Sequence, residues 1–336
     1  VSITATSDNL ALTASWWSPV TRRPLAWLPE RIVFAGAGEE AFGCLDGEIP
    51  DFRPGAVPLT VSEIAAIRAR LERWWDESPP ATPSGSSSVA IESAWRYWYV
   101  TARAEVPAFL TWLVRGRPPY TQRESMERYR TVADVVPNAE RRLVTVLADG
   151  RPATTPLMTF KRLSLGPLLD LIDAERIGSV LDFGCGWGAN TILLKQLRPR
   201  LDVWSFDLSP ERVVTTRFNL QRLGLTPYRL FVADGSRLPL PDGAVDLVLS
   251  THVLEQMAEV LEPALAEIHR VARRFAWHVE PTYRFARWPH RLRMHRLGYP
   301  RDVADRARRL GWTVAERRLA NPAWGRTPGE LIVLRK

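Results

Sequence analysis

The stretch that most constrains what this 336-residue chain can fold into is Gly178 to Asn190, GSVLDFGCGWGAN. An apolar, strand-like run ends at Phe183, glycines then occupy every second position (Gly184, Gly186, Gly188), and a helix follows through TILLKQL. Alternate glycines leave the backbone bare of Cβ atoms, so a ligand can press against peptide N–H groups at the start of a helix. Strand, glycine turn and helix open a parallel α/β sheet, and the pattern continues downstream. LDVWSFD reads as a second strand, and Ser209-Pro210 as the N-cap and first position of the next helix. YRLFVAD and AVDLVLS read as strands three and four, a helix covers about 258–272, and RFAWHVE is strand five. The end differs in kind: after a helix at 301–311, WTVAERRL and GELIVLRK are two strands with no helix between them, an antiparallel pair at the sheet edge.

Three acids sit where such a sheet presents its ligand. Asp207 follows Gly186 by 21 residues and closes strand two, where a carboxylate can hold two ribose hydroxyls. Gly184, Gly186 and Ala189 also fit the G-x-G-x-x-A spacing of a dinucleotide site. Three details argue against a dinucleotide. Asp182, just ahead of the glycines, can reach an ammonium group but would repel a pyrophosphate. Asp234 ends strand three, placed to accept from an adenine amino group. The closing strand pair is unlike a dinucleotide-binding half.

These residues resemble the class I S-adenosylmethionine-dependent methyltransferases. VLDFGCGWGAN is similar to their first motif, SFDLSP to the second, and VADGSRLPL with DGAVDLVLSTHVLEQM to the third and fourth, across about residues 161–336. The resemblance implies a Rossmann-like seven-stranded sheet of order 3-2-1-4-5-7-6 with strand seven antiparallel. It implies that Asp182, Gly184 and Gly186 hold the methionine part of S-adenosylmethionine. Asp207 would hold its ribose, Leu208 would flank its adenine, and Asp234 with Gly235 would meet the adenine edge. Phe183, Cys185, Gly188, Asn190, Ser250 and Thr251 are the other motif positions expected at the cofactor. Gln256 stands where histidine is frequent in the family's fourth motif. No metal is expected.

A sulfonium methyl is already activated, so transfer is an in-line displacement helped by orientation and exclusion of water. An oxygen or nitrogen acceptor still gains from a general base. All five histidines lie after residue 250. His252 follows strand four and His278 lies in strand five, with Glu280 and Tyr283 just beyond, and these four are the candidate catalytic residues. His269 belongs on a solvated helix face. The segment YRFARWPHRLRMHRLGY after strand five reads either as a solvated loop or as a lid whose Arg287, Arg291 and Arg293 meet an anionic or planar acceptor. Cytosine-C5 chemistry needs a cysteine nucleophile, yet Cys185 lies in the glycine turn and Cys44 far from every motif. The N-P-P-Y pattern of adenine-N6 and glutamine methylation is absent after strand four, where STHV stands.

The remainder divides into three parts: a small α+β module at 1–77, a Ser/Pro/Gly linker at 78–88, and a helical lid or substrate region at 89–165, ahead of the cofactor-binding domain at 166–336. Thr60 and Glu63 have capping-box spacing before a helix whose apolar face is Ile64, Ile67, Leu71 and Trp74 or Trp75. In the helical region Trp95, Trp98, Ala102 and Val106 share one face, and Trp95, Trp98 and Trp112 read as core. Residues 18–53, from Ser18-Pro19 to DGEIPDF, resemble a small zinc-ribbon-type methyltransferase-activator domain without its metal cysteines, so no zinc site can be assembled there.

The net charge is +8, and residues 266–336 hold 17 basic against 6 acidic groups. That excess suits an acidic small acceptor, or an RNA acceptor as the alternative. No apolar run is long enough for a membrane span, and two cysteines build no disulfide framework, so a cytoplasmic location is expected. The reading is methyl transfer to oxygen, nitrogen or an activated carbon of a small molecule in secondary metabolism. The alternatives are an RNA methyltransferase, a cofactor-binding scaffold without activity, and another reaction of the sulfonium.

Overall fold

Parallel strands covered on both faces must be apolar on both, and each strand of the central sheet divides its side chains between two cores by simple alternation. The computed structural model describes residues 15–28, 33–35, 41–77, 90–91, 94–116, 134–325 and 327–336. The expected linker at 78–88, part of the RIVFAG strand and the middle of the expected helical region, 117–133, lie outside the described residues. The central strands are β1 (Ser179–Phe183), β2 (Asp202–Asp207), β3 (Arg229–Val232), β4 (Val245–Thr251), β5 (Ala272–Pro281), β6 (Thr313–Leu319) and β7 (Gly329–Arg335). They lie in the order β3-β2-β1-β4-β5-β7-β6, with β7 antiparallel to both neighbours and all other pairs parallel. This is the expected Rossmann-like sheet. On β5, Phe275, Trp277 and Val279 face one core and Ala276 the other; on β7, Leu331 and Val333 face the first, Ile332 and Leu334 the second.

The helices are α1 (Val61–Asp76), α2 (Ala94–Arg115), α3 (Val136–Arg141), α4 (Leu157–Ala174), α5 (Ala189–Leu197), α6 (Pro210–Arg222), α7 (Leu261–Val271), α8 (Trp288–Arg296) and α9 (Val303–Arg309). Helix α1 starts at the expected capping box, with Thr60 Oγ1 accepting from the Glu63 N–H and the Glu63 carboxylate accepting from the Thr60 N–H, and it buries Ile64, Ile67 and Leu71. Ser209 Oγ caps α6 by accepting from the Arg212 N–H. Between β4 and α7 the chain makes only a 3-10 turn, Leu254–Gln256, so the helix expected from 258 begins three residues later.

A sheet edge left open would invite pairing with another chain, and the front of the molecule closes it. The five short strands Trp16–Trp17, Pro24–Leu28, Val33–Ala35, Ala41–Leu45 and Ile49–Pro50 pair in sequence order. Beyond the last of them, Asp51 bridges Val232 of edge strand β3 in parallel, and the Phe52 N–H donates to the Val232 carbonyl at 2.9 Å. Trp16, fully buried, fills the seam, with ring centroids 4.6 Å from Phe52 and 4.8 Å from Phe231. Arg217 of α6 reaches the same module, donating to Glu48 at 2.6 Å and Asp46 at 3.2 Å. Among the described residues no cluster of His, Cys, Asp or Glu has a metal-holding arrangement, and Cys44 is a half-buried thiol that desolvation, and after it the charge of Asp51, pushes up to about 12.

Helix α2 packs along α8, with Glu105 accepting from both Arg293 and Arg296 and Tyr97 OH meeting His290 at 3.2 Å. Trp98 is half-buried in this contact, but Trp95, read as core, is 74% exposed and among the described residues stacks on Tyr99, off the side that faces α8. His269 is not on a solvated face either: its ring packs edge-on against Trp312 at 5.1 Å. A hairpin of Leu143–Ala148 with Arg151–Pro156 leads into α4 and pairs with Ala323–Trp324, a two-residue strand in the connection between β6 and β7. No helix among the described residues is long and apolar enough to cross a membrane.

Candidate active site

The C-terminal ends of β1, β2 and β4 open onto a cavity of about 510 Å³. Its floor is built from one run of chain. Gly184 has φ +74°, and a Cβ there would stand 2.7 Å from Val253 Cγ1. A Cβ on Gly235 would stand 2.4 Å from Phe183 Cζ. Both positions line the cavity, and at each the absent side chain lets a neighbour, Val253 or Phe183, pack directly against the backbone that forms the floor. Asp207 lies between them. Its Oδ2 accepts from the Gly186 N–H and its Oδ1 from the Ser209 N–H, both at 2.9 Å, which fixes the carboxylate at the cavity wall beside Leu208.

Asn190, at the first turn of α5, donates from Nδ2 to Thr251 Oγ1 at 2.9 Å and to Asp182 Oδ1 at 3.4 Å. Its Oδ1 is a buried acceptor without a partner among the described residues, on a side chain that lines the cavity. Asp182 itself is fully buried behind Asn190 and Thr191, and burial pushes its carboxyl above the usual range. It is held behind Asn190 and does not line the cavity.

His252 stands at the opposite side of the fourth-strand turn with φ +58°, a left-handed backbone that a non-glycine residue seldom adopts. The turn is held in place from three sides. His252 N–H donates to the Val279 carbonyl, Gln256 Nε2 donates to the His252 carbonyl, and the Val253 N–H donates to Glu280. Imidazole Nδ1 is 3.1 Å from Glu255 Oε2, and Tyr299 OH donates to Glu255 Oε1 at 3.2 Å. With Nδ1–H donating to the carboxylate, Nε2 is left as a bare acceptor, buried and unpartnered among the described residues.

Of the residues singled out in the sequence, Phe183, Gly184, Cys185, Gly186, Asn190, Asp207, Leu208, Gly235, Thr251, His252 and Arg293 line this cavity. The rest stand elsewhere, each for a visible reason. Gly188 turns its backbone into the packing against Thr216. Asp234 turns back on its own loop, accepting from the Ser236 N–H and hydroxyl at 2.8 Å. Ser250 and His278 pair across β4 and β5 and are fully buried, Ser250 one residue before the Thr251 that lines the cavity. Ser250 Oγ donates to Glu280 Oε1 at 2.7 Å, so it accepts from His278 Nδ1 at 2.9 Å. Burial drives His278 down to about 3 and Glu280 up to about 7, and Glu280 spends its oxygens on Ser250 and the His252 turn. Tyr283 lies beyond the strand end under the Arg301 guanidinium, beside a separate 20 Å³ cleft. Arg287 stacks on Trp98 at 4.5 Å, and Arg291 points to solvent.

Several cavity residues were not legible as such. Arg142, Leu157 and Lys161 come from the segment ahead of β1, Tyr299 from beyond α8, and Trp324 and Thr327 from the β6–β7 connection. Glu255 was within reach, since it lies three residues after His252 in the fourth motif. The rarity of lysine in an arginine-rich chain was the one signal for Lys161.

Residues 181–278 match the family model described as a methyltransferase domain. Over 151 residues the chain is 33% identical to a malonyl-[acyl-carrier protein] O-methyltransferase of Geobacter sulfurreducens, an alignment covering 43% of this chain and 54% of that protein. Over 92 residues it is 34% identical to a demethylmenaquinone methyltransferase of Thermus thermophilus, covering 27% of this chain and 41% of that one. The chain thus spans about half the length of these curated relatives or less. Among solved structures, the [4+2]-cyclase SpnF superposes with a TM-score of 0.51 at 18% identity, covering 66% of this chain and 97% of that one. That likeness shows the fold.

Proposed function

We infer, from the methyltransferase domain carried at residues 181–278, that this chain transfers the methyl group of S-adenosylmethionine to an oxygen or nitrogen of a small-molecule acceptor. The observation that carries the reading is one cavity in which a glycine-lined floor and a ribose-competent carboxylate, Asp207, meet an imidazole whose buried Nε2 has no partner among the described residues. The residues present fit the cofactor. Gly184, Gly186 and Gly235 present bare backbone along the cavity, Asp207 accepts from its ribose hydroxyls, and Asn190 Oδ1 offers an acceptor to its ammonium group. Bound there, S-adenosylmethionine supplies a methyl group activated by the adjacent sulfonium.

The chain's own work is orientation and proton handling. Leu157, Trp324 and Met257 wall the cavity and exclude water from the reacting centre. His252 Nε2 takes the proton of the acceptor hydroxyl or amine, and Glu255 stabilises the imidazolium that results. Of the candidate bases named from the sequence, His252 lines the cavity and His278, Glu280 and Tyr283 do not.

The excess of positive charge in residues 266–336 supports an RNA acceptor less than the sequence suggested. Arg273, Arg274, Arg293, Arg296, Arg306, Arg308, Arg317 and Arg318 are each ion-paired with an acid of this chain. Paired arginines are poorly available to phosphates. The test is calorimetric titration with S-adenosylhomocysteine beside an Asp207→Ala variant, followed by a screen of acceptors with methyl-labelled cofactor. Micromolar binding lost in the variant supports the reading; a folded protein that binds neither S-adenosylmethionine nor its product refutes it.

A further inference from the structure

Only three of the 45 basic residues are lysines, and one of them, Lys161 on α4, lines the cavity. Its ammonium lies 3.5 Å from Thr251 Oγ1, the hydroxyl that also receives Asn190, and it forms no ion pair among the described residues. The carboxylates that act on it from nearby are Asp182, Glu280 and Glu255. All three are engaged: Asp182 by Thr191 and Asn190, Glu280 by Ser250 and the Val253 N–H, Glu255 by His252 and Tyr299. The other cations at this end of the cavity have counter-ions of their own, Arg142 with Asp134 at 2.7 Å and Arg293 with Glu105 at 3.2 Å.

A cation held in a walled cavity without a counter-ion is costly until an anion arrives. Burial already weakens the hold of Lys161 on its proton in spite of the three acids, and Arg142 weakens it further. A single compact ammonium, with both neighbouring guanidinium forks occupied, matches one carboxylate better than a phosphate. We propose that Lys161 is the cationic anchor for a carboxylate bound in this cavity, supplied by the α-carboxylate of S-adenosylmethionine or by the acceptor. The anchor rests on the methyltransferase reading.

The full chain is titrated calorimetrically with S-adenosylhomocysteine and with 5′-methylthioadenosine, which keeps the nucleoside and sulfur but lacks the amino-acid tail. Lys161→Met, which keeps most of the stem and removes the charge, is compared with Lys161→Arg, which keeps the charge. If the carboxylate is the cofactor's, Lys161→Met weakens S-adenosylhomocysteine about tenfold or more, the scale of one charge-assisted hydrogen bond, and leaves methylthioadenosine unchanged. If both nucleosides bind Lys161→Met as they bind the wild type, protein saturated with S-adenosylhomocysteine is titrated with benzoate and benzamide. A wild-type preference for benzoate that Lys161→Met loses and Lys161→Arg retains assigns the carboxylate to the acceptor. No effect of Lys161→Met in either arm, no wild-type preference for benzoate in the second, or equal weakening of both nucleosides, overturns the anchor alone. Failure of the folded wild type to bind either nucleoside overturns the methyltransferase reading and the anchor with it.

Discussion

Glu280 offers the sharpest test of the electrostatics beneath the cavity. It is enclosed on β5, accepting from Ser250 Oγ at 2.7 Å and from the Val253 N–H at 3.1 Å. Burial, and after it the charge of Glu255, push its pKa from 4.5 to about 7. A folded-state pKa above the unfolded one means that the folded protein holds this proton more tightly. The stabilisation is complete below pH 4.5 and is lost as the pH rises through 7. At 1.36 kcal/mol per unit the gap amounts to about 3 kcal/mol. Glu280→Gln keeps the shape and the carbonyl acceptor while standing in permanently for the protonated acid. Urea unfolding of both proteins at pH 5 and pH 8 should therefore show the variant gaining about 3 kcal/mol on the wild type between the two. His278, lowered from 6.5 to about 3, contributes in the opposite sense, its stabilisation present above pH 6.5 and lost as the pH falls through 3. Both proteins keep His278, so the difference between them removes its contribution. A stability difference that is the same at pH 5 and pH 8 would show that Glu280 does not titrate in this window and that the reasoning is wrong.

Two further perturbations probe the floor and the front. Gly235→Ala drives a methyl group to within 2.4 Å of Phe183 Cζ; overpacking of this kind costs about 1–3 kcal/mol, so both the urea midpoint and the affinity for S-adenosylhomocysteine should fall, and unchanged values would mean that the Phe183 ring yields freely. Trp16→Ala empties the seam between the front strands and β3, a loss of about 3–5 kcal/mol for a buried tryptophan. Limited proteolysis should then cut the front strands first, and an unaltered digestion pattern would show that Trp16 does not hold them.

The strands were legible because most of them are apolar in their own right and the βα turns carry their own punctuation, as at Gly184–Gly188 and Ser209-Pro210, whereas their order came from the family resemblance, the edge strand Thr313–Leu319 being largely polar. The capping box at Thr60 and Glu63 was legible for the same reason: its partners are three residues apart. His278 shows where such reading stops. It lies in a correctly placed strand, yet whether a residue near a strand end reaches the rim or hydrogen-bonds to its neighbour in the sheet depends on pairing with Ser250, which no local pattern encodes. Lys161, Tyr299 and Trp324 were missed on similar grounds, since long-range packing alone brings Lys161 to Thr251, Tyr299 to Glu255 and Trp324 to His252. Trp95 was misplaced because helical spacing identifies a face without saying whether anything covers it.

The cavity's two walls have different origins in the chain. Everything from Phe183 to Met257 that lines it belongs to one run of β1 to β4 and their turns, whereas Arg142, Lys161, Arg293, Tyr299 and Trp324 are gathered from three separate segments. The first wall is tied to the sheet and can hardly change without disturbing it. The second hangs on surface connections, including the short Ala323–Trp324 strand that pairs with the hairpin before α4. Substitutions in those connections would alter which molecules are admitted while the grip on the nucleoside stays as it is, so variants of this scaffold can diverge in diet without relearning their common chemistry.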